Sequence, residues 1–292
     1  MNNVKVFVLM LAMFALFVFV GNLLGGQQGM ILAFMMALVM NFIGYWFSDS
    51  IVLKMYRAKQ VTEREASELY RIVRQLTLKA KLPMPKVYVI PSPAPNAFAT
   101  GRNPEHSSVA VTEGILKVLN EDELNGVLAH ELAHIQHRDI LISTLVATLA
   151  GAIMLLARMA GFAAMFGGGR RNDNNSGGAL GYLFLLIVAP IAALLIQMAI
   201  SRSREYAADA GGSAISGKPL GLAHALQKLE NYSRQTPPLT DNPSTAHLFI
   251  VNPLKGRSLL SLFSTHPPIP ERVKKLEKLA QSKSGLQSKI IY

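Results

Sequence analysis

The stretch VLAHELAHIQHRDILISTLVATLAGAIMLL, residues 127–156, decides how this chain is read. Its first half carries histidines and acids, and its second half is apolar and uncharged. Within it, residues 130–134 read His-Glu-Leu-Ala-His. On a helix, positions four apart share one face, so the imidazoles of His130 and His134 can grip one metal ion. Glu131 falls at the edge of that face, placed to bind a water rather than the metal. The surroundings favour a helix. Asn120 is a suitable cap, Glu121, Asp122 and Glu123 suit the positive helix N-terminus, and Leu124, Val127, Leu128 and Leu132 supply an apolar face. A pentapeptide of this kind also arises by chance, so a third ligand is needed.

The apolar half fits the rest of the chain. Of 292 residues, 50% are hydrophobic and 16% charged, and the mean hydropathy is +0.29. Such a profile indicates a membrane protein with a soluble part. There are no cysteines, which excludes disulfides and thiolate metal sites and leaves His, Asp and Glu as ligands. The formal charge of +11 suits the basic cytoplasmic flanks of membrane spans; no nucleic-acid motif accompanies it.

Four apolar runs are expected to be helices: Val6 to Leu24, Met30 to Phe47, Leu141 to Phe166 and Ala179 to Ile200. Each approaches the roughly 20 residues that cross a bilayer core. The first is expected to be a retained anchor rather than a signal peptide, because a second run follows at once. The third contains Arg158, so the third and fourth runs could cross the bilayer or form a re-entrant or peripheral hairpin. Lys54, Arg57, Lys59 and Arg64 follow the second run, and Arg202 and Arg204 follow the fourth, which places the soluble parts on the cytoplasmic side. Arg170 and Arg171 between the last two runs argue mildly the other way.

Four segments result: a two-helix anchor over 1–48, a first catalytic part over 49–140, the hydrophobic pair over 141–200, and a second catalytic part over 201–292. The soluble parts read as helix with short strands. Residues 62–80 have helical periodicity with Thr62 as cap and Glu65 at capping-box spacing. Val87 to Ile90 and Val109 to Thr112 read as strands. Another helix follows the prolines at 267–270.

His137 lies almost a further turn beyond His134, too far along to share the ion; it is expected beside the site or at an interface. The segment SRSREYAADAGG offers Glu205 and Asp209, again four apart. Glu205 could complete a His2Glu site with an open position for water, and Asp209 could orient a ligand histidine. Spacing alone equally allows a solvated face in which Glu205 pairs with Arg202.

HELAH, SRSREYAADAGG and STHPPIPERVKKL together resemble the HtpX family of membrane zinc peptidases, related to the CaaX prenyl-protease and other gluzincins. The resemblance covers essentially the whole chain. It implies a mostly α fold with a small β-sheet (α+β), about four hydrophobic helices and a cytoplasmic zincin-like catalytic domain. It implies one zinc ion held by His130, His134 and Glu205, with Glu131 as the catalytic glutamate. It further implies that His266 and Arg272 lie near the substrate oxyanion. Asn96, Ala97, Phe98 and Ala99, in NAFATG, would then form an edge strand beside the cleft; without the family they read as a loop. The family also implies cleavage of misfolded or damaged membrane proteins in a bacterial inner membrane under stress. Partners would be polypeptide substrates and the lipid bilayer, with no nucleic acid; no residue pattern sets an oligomeric state.

The competing class is a non-catalytic zinc-binding scaffold or sensor, which would more readily close the fourth position with a protein ligand. A transporter is disfavoured because the motifs sit outside the apolar runs. If the connections from His134 to Leu141 and from Ile200 to Glu205 stay helical, the ligands lie roughly 10 and 8 Å from the apolar runs.

Overall fold

The computed structural model describes residues 2–143, 145, 202–233, 248, 250 and 267–288. The third and fourth apolar runs fall almost wholly outside these residues, as does His266. The described elements are α1 (Asn2–Met55), β1 (Lys59–Gln60), α2 (Ser67–Ala80), β2 (Lys86–Ile90), β3 (Ala97–Asn103), β4 (His106–Thr112), α3 (Glu113–Val118), α4 (Glu121–Gln136), α5 (Arg202–Ser216), α6 (Pro219–Ser233) and α7 (Ile269–Ser288).

Both N-terminal apolar runs belong to α1. A straight helix would hold residues 20 positions apart at roughly 30 Å, yet the rings of Phe14 and Phe34 lie 4.7 Å apart. The chain therefore doubles back, and Gly26, in the left-handed region at φ +56°, supplies the turn that a side chain would resist. Among the described residues one stretch, Gly26–Phe47, is long and apolar enough to cross a bilayer, at mean hydropathy 1.9; Val6–Phe19 is apolar but shorter. The expected pair of N-terminal spans thus appears as one full-length stretch and one short one. Leu32, Phe34, Met35, Val39, Phe42 and Phe47 are all exposed on it, as lipid-facing residues would be.

The sheet runs β1-β2-β4-β3. β2 and β4 are parallel, with Val87 opposite Val109 and Val89 opposite Val111, whereas β3 returns antiparallel to β4. The β-branched runs of β2 and β4 suit the middle of a sheet. β1 has no sequence signal; only Lys59 and Gln60 pair, against Val89 and Tyr88. Among the described residues β3 lies at one edge of the sheet and takes in Ala97, Phe98 and Ala99, with Asn96 just before it.

α2 begins at Ser67, five residues after the expected cap. Thr62 instead closes a separate turn: its carbonyl accepts from the N–H groups of Glu65 and Ala66, and Glu65 accepts from the Thr62 N–H at 2.7 Å. The Val61 N–H is meanwhile bonded to the Val87 carbonyl, which holds this segment against β2 and out of the helix.

α4 is central, packed against α2, α5, α6 and β3. Val127, Leu128, Leu132 and Ile135 join Ile72 and Leu76 of α2 and Leu222 and Leu226 of α6 in the core. Burying each such side chain contributes about 1.5–3 kcal/mol. Burial extends almost all round α4 from Gly126 to Ala133, so His130 and Glu131 are carried inside with the apolar residues. Close helix contact depends on two glycines: a Cβ on Gly126 would lie 2.4 Å from the Leu222 nitrogen, and one on Gly212 would lie 2.8 Å from His130 Cα.

Candidate metal centre

α4 starts at a complete capping box. Asn120 Oδ1 accepts from the Glu123 N–H at 2.9 Å, and Glu123 Oε2 accepts from the Asn120 N–H at 2.9 Å. Two donors otherwise left over at the helix start are satisfied together. Three turns later His130 and His134 face each other, with their Nε2 atoms 3.2 Å apart.

α5 crosses α4 at Gly212, and Glu205, Asp209 and Gly212 fall on one face of it. Glu205 is brought to 3.8 Å from His130 Nε2 and 3.5 Å from His134 Nε2. One ligand atom from each of His130, His134 and Glu205 lies within 4.8 Å of the others. Tetrahedral zinc with bonds of 2.0–2.1 Å needs ligand atoms about 3.4 Å apart, so the three positions fit. The solvated alternative for Glu205 does not hold, since it is buried.

The outer nitrogens explain why these atoms converge. His130 Nδ1 is 3.0 Å from Asp209 Oδ1. His134 Nδ1 is 3.4 Å from Asp139 Oδ2, a contact the sequence reading missed. A carboxylate thus lies on the outer side of each imidazole, while both Nε2 atoms are turned toward Glu205 in one shared space, an arrangement that suits a metal ion. Glu131, Glu205, Asp209 and Asp139 are buried, while the guanidiniums against them belong to Arg272 and Arg204.

Asp139 reaches His134 because the chain breaks. α4 ends at Gln136, Arg138 takes the left-handed region at φ +58°, and the Asp139 N–H returns to the His134 carbonyl at 2.9 Å. A new helix begins at Ile140. The connection to the third apolar run is therefore a turn, not the continuous helix that spacing allowed.

Burial pushes the Glu131 carboxyl up, against the pull of both histidines. Its Oε2 accepts from the Ala99 N–H at 2.9 Å, which joins β3 to the site. Burial alone would also raise Asp209, but the Arg272 charge and the contact with His130 hold it well below the usual carboxylate range.

Arg272 lies beside the candidate ligand group. It has no exposed surface. Its Nε and Nη2 donate to Asp209 at 2.9 and 2.7 Å, and its Nη1 faces Glu205 at 3.8 Å. The two acids Asp209 and Glu205 hold it in the interior against the candidate ligand group. Asn96 is also engaged: its Oδ1 accepts from the Ile250 N–H at 3.2 Å and its Nδ2 donates to the Leu248 carbonyl at 3.5 Å. Ala97, Phe98 and Ala99 lie in β3, with Phe98 turned to Tyr56, just past the end of α1. His137 caps α4, its ring against Gly211 of α5, outside the ligand group.

Comparison with known proteins agrees with this geometry. The profile of "Peptidase family M48" matches residues 63–280. The "Protease HtpX homolog" of Desulforapulum autotrophicum is 56% identical over 97% of this chain and 92% of its own length. That of Syntrophobacter fumaroxidans is 58% identical over 93% and 97%, and that of Thermodesulfovibrio yellowstonii 58% over 96% and 99%. The crystal structure of Ste24p from S. mikatae shares the fold at TM-score 0.50 and 20% identity, over 91% of this chain and 62% of that one. The chain belongs to peptidase family M48, among its HtpX homologues, and is a metalloprotease.

Proposed function

We propose that the protein is a zinc-dependent integral membrane endopeptidase that cleaves membrane polypeptides close to the lipid, at the cytoplasmic face of a bacterial inner membrane. The observation that carries this is the meeting of three ligand atoms with a buried glutamate tied to an edge strand. His130, His134 and Glu205 would hold one zinc ion, which when bound would supply the Lewis acidity that activates a water and polarises the scissile carbonyl. Glu131 takes the water's proton and passes it to the leaving amine. Asp209 and Asp139 fix the two imidazole planes, and Arg272 braces Asp209. β3 aligns the substrate backbone, and His266 stabilises the oxyanion.

Two observations support the membrane setting. A Cβ on Gly44 would lie 3.3 Å from Leu145 Cδ1, so the third apolar run starts alongside the Gly26–Phe47 stretch. Leu32, Phe34, Met35, Val39, Phe42 and Phe47 on that stretch are exposed. Multiple spans, a cytoplasmic catalytic domain and a part in clearing damaged membrane proteins under stress follow from this reading.

The test is cleavage of a membrane-tethered polypeptide by the purified protein in liposomes, with the metal stripped by a chelator and then restored. Loss on stripping and recovery with zinc is expected. Binding of zinc with no cleavage of any tethered substrate would instead favour the scaffold class.

A further inference from the structure

β3 links the candidate metal centre to the membrane helix, and the link has a direction. The Ala99 N–H meets Glu131 at 2.9 Å. Three residues on, the Arg102 guanidinium lies 4.5 Å from the ring centre of Trp46, one residue before the end of the Gly26–Phe47 stretch. Behind Ala99, Phe98 packs on Tyr56 with ring centres 5.6 Å apart. Trp46 to Tyr56 is roughly 15 Å of helix, and Arg102 back to Phe98 is roughly 13 Å of strand. The two segments therefore run antiparallel, side by side: the C-terminal end of β3 points toward the span and its N-terminal end points away.

Among the described residues β3 is the edge of the sheet. Its pleat is fixed by two bonds. The Asn96 carbonyl accepts from the Thr112 N–H beside β4, and the Ala99 N–H turns outward to Glu131. By alternation the backbone groups of Ala97, Ala99 and Gly101 face away from β4. With the Ala99 N–H kept by Glu131, an extended peptide can add to that edge through Ala97 and Gly101 in either direction, and the antiparallel arrangement is the more stable per residue. So placed, its N-terminal side lies by Arg102 and Trp46 and its C-terminal side by Asn96.

We infer that the site selects membrane polypeptides whose span lies N-terminal to the scissile bond. The distance from Ala99 to Arg102 is about 10 Å, so cleavage falls about three to five extended residues past the end of the span. A substrate with its span on the other side must pair parallel or loop back around the strand. Hydrolysis consumes one water and breaks the peptide C–N bond. The new carboxylate stays on the span-bearing fragment, and the new amine leaves on the fragment released to water. This selection rests on the protease function proposed above and narrows its substrate class.

The test uses the full-length, zinc-loaded protein in liposomes with two single-span substrates. Both carry the same cleavable segment on the side of the catalytic domain, one directly after the span and one directly before it. The same segment as a soluble peptide is the third arm. The expected result is about tenfold faster cleavage of the span-first substrate, from its higher effective concentration in the productive direction. Mass spectrometry should place the new C-terminus about three to five residues beyond the span. Equal rates for the two tethered substrates, or preference for span-last, would overturn the inference and leave the protease intact. Failure to cleave any of the three would count against the protease function itself.

Discussion

Glu131 Oε2 and the backbone N–H of Ala99 are joined by a 2.9 Å hydrogen bond, so the proposed base and the edge strand form one unit. Ala99→Pro removes that donor at an edge position where a strand tolerates proline. Zinc should stay bound while cleavage slows about tenfold or more, the cost of a buried carboxylate losing a partner. A variant as fast as wild type would show that the bond does not position Glu131.

Asp139 gives a second test. Its carboxylate lies 3.4 Å from His134 Nδ1, and partners of this kind typically set metal affinity by about 10–100-fold. Asp139→Ala should weaken zinc by that range in a competition titration. Asp139→Ser can still cap the helix that begins at Ile140 but is too short to reach the imidazole, and it should behave like Ala. Wild-type affinity in the Ser variant would reduce Asp139 to a cap.

Arg272 is fully buried and doubly bonded to Asp209. Arg272→Met fills similar space but leaves Asp209 as a buried charge without its counter-ion, which costs about 3–5 kcal/mol. Thermal unfolding of the metal-free protein should show a large drop in stability. An unchanged midpoint would mean that Asp209 is balanced by another group.

Protons compete with metal at His134. Burial lowers this imidazole, but the Asp139 hydrogen bond and the charges of Glu205 and Glu131 outweigh it, raising it from 6.5 to about 9 in the metal-free site. A raised value stabilises the metal-free fold fully below 6.5, and that contribution is lost as pH climbs through about 9. Zinc needs the lone pair the proton holds. Apparent affinity should therefore rise about tenfold per pH unit up to that range, with a proton released on binding at neutral pH. Calorimetry in buffers of different ionisation enthalpy measures the released proton, and a zero proton count at pH 7 would contradict the assignment.

The parts legible in the sequence were those whose cause is local. α4 carries its own cap, its acidic first turn and its apolar face, so His130, Glu131 and His134 could be placed on it directly. β3 lacks clean alternation of polar and apolar residues; pairing with β4 and packing on α1 make it a strand, and only the family resemblance pointed to it. The turn at Arg138 was hidden because a left-handed arginine has no sequence signal, and without that turn Asp139 could not be seen beside His134. Arg272 lies 63 residues from Asp209, and no spacing rule connects them. The hairpin in α1 had a local cue, the glycines around Gly26, and there the two-run expectation came close to the structure.

The central claim is that one glutamate beside a bound zinc ion does the acid–base work. The direct measurement is zinc content together with cleavage of a membrane-tethered substrate for Glu131→Gln and wild type. The amide keeps the shape and can still accept from Ala99, but it cannot take a proton. One zinc per chain in both proteins, with cleavage lower by about 10²–10⁴-fold in the variant, is the expected result. Full zinc occupancy with cleavage at the wild-type rate would contradict the account.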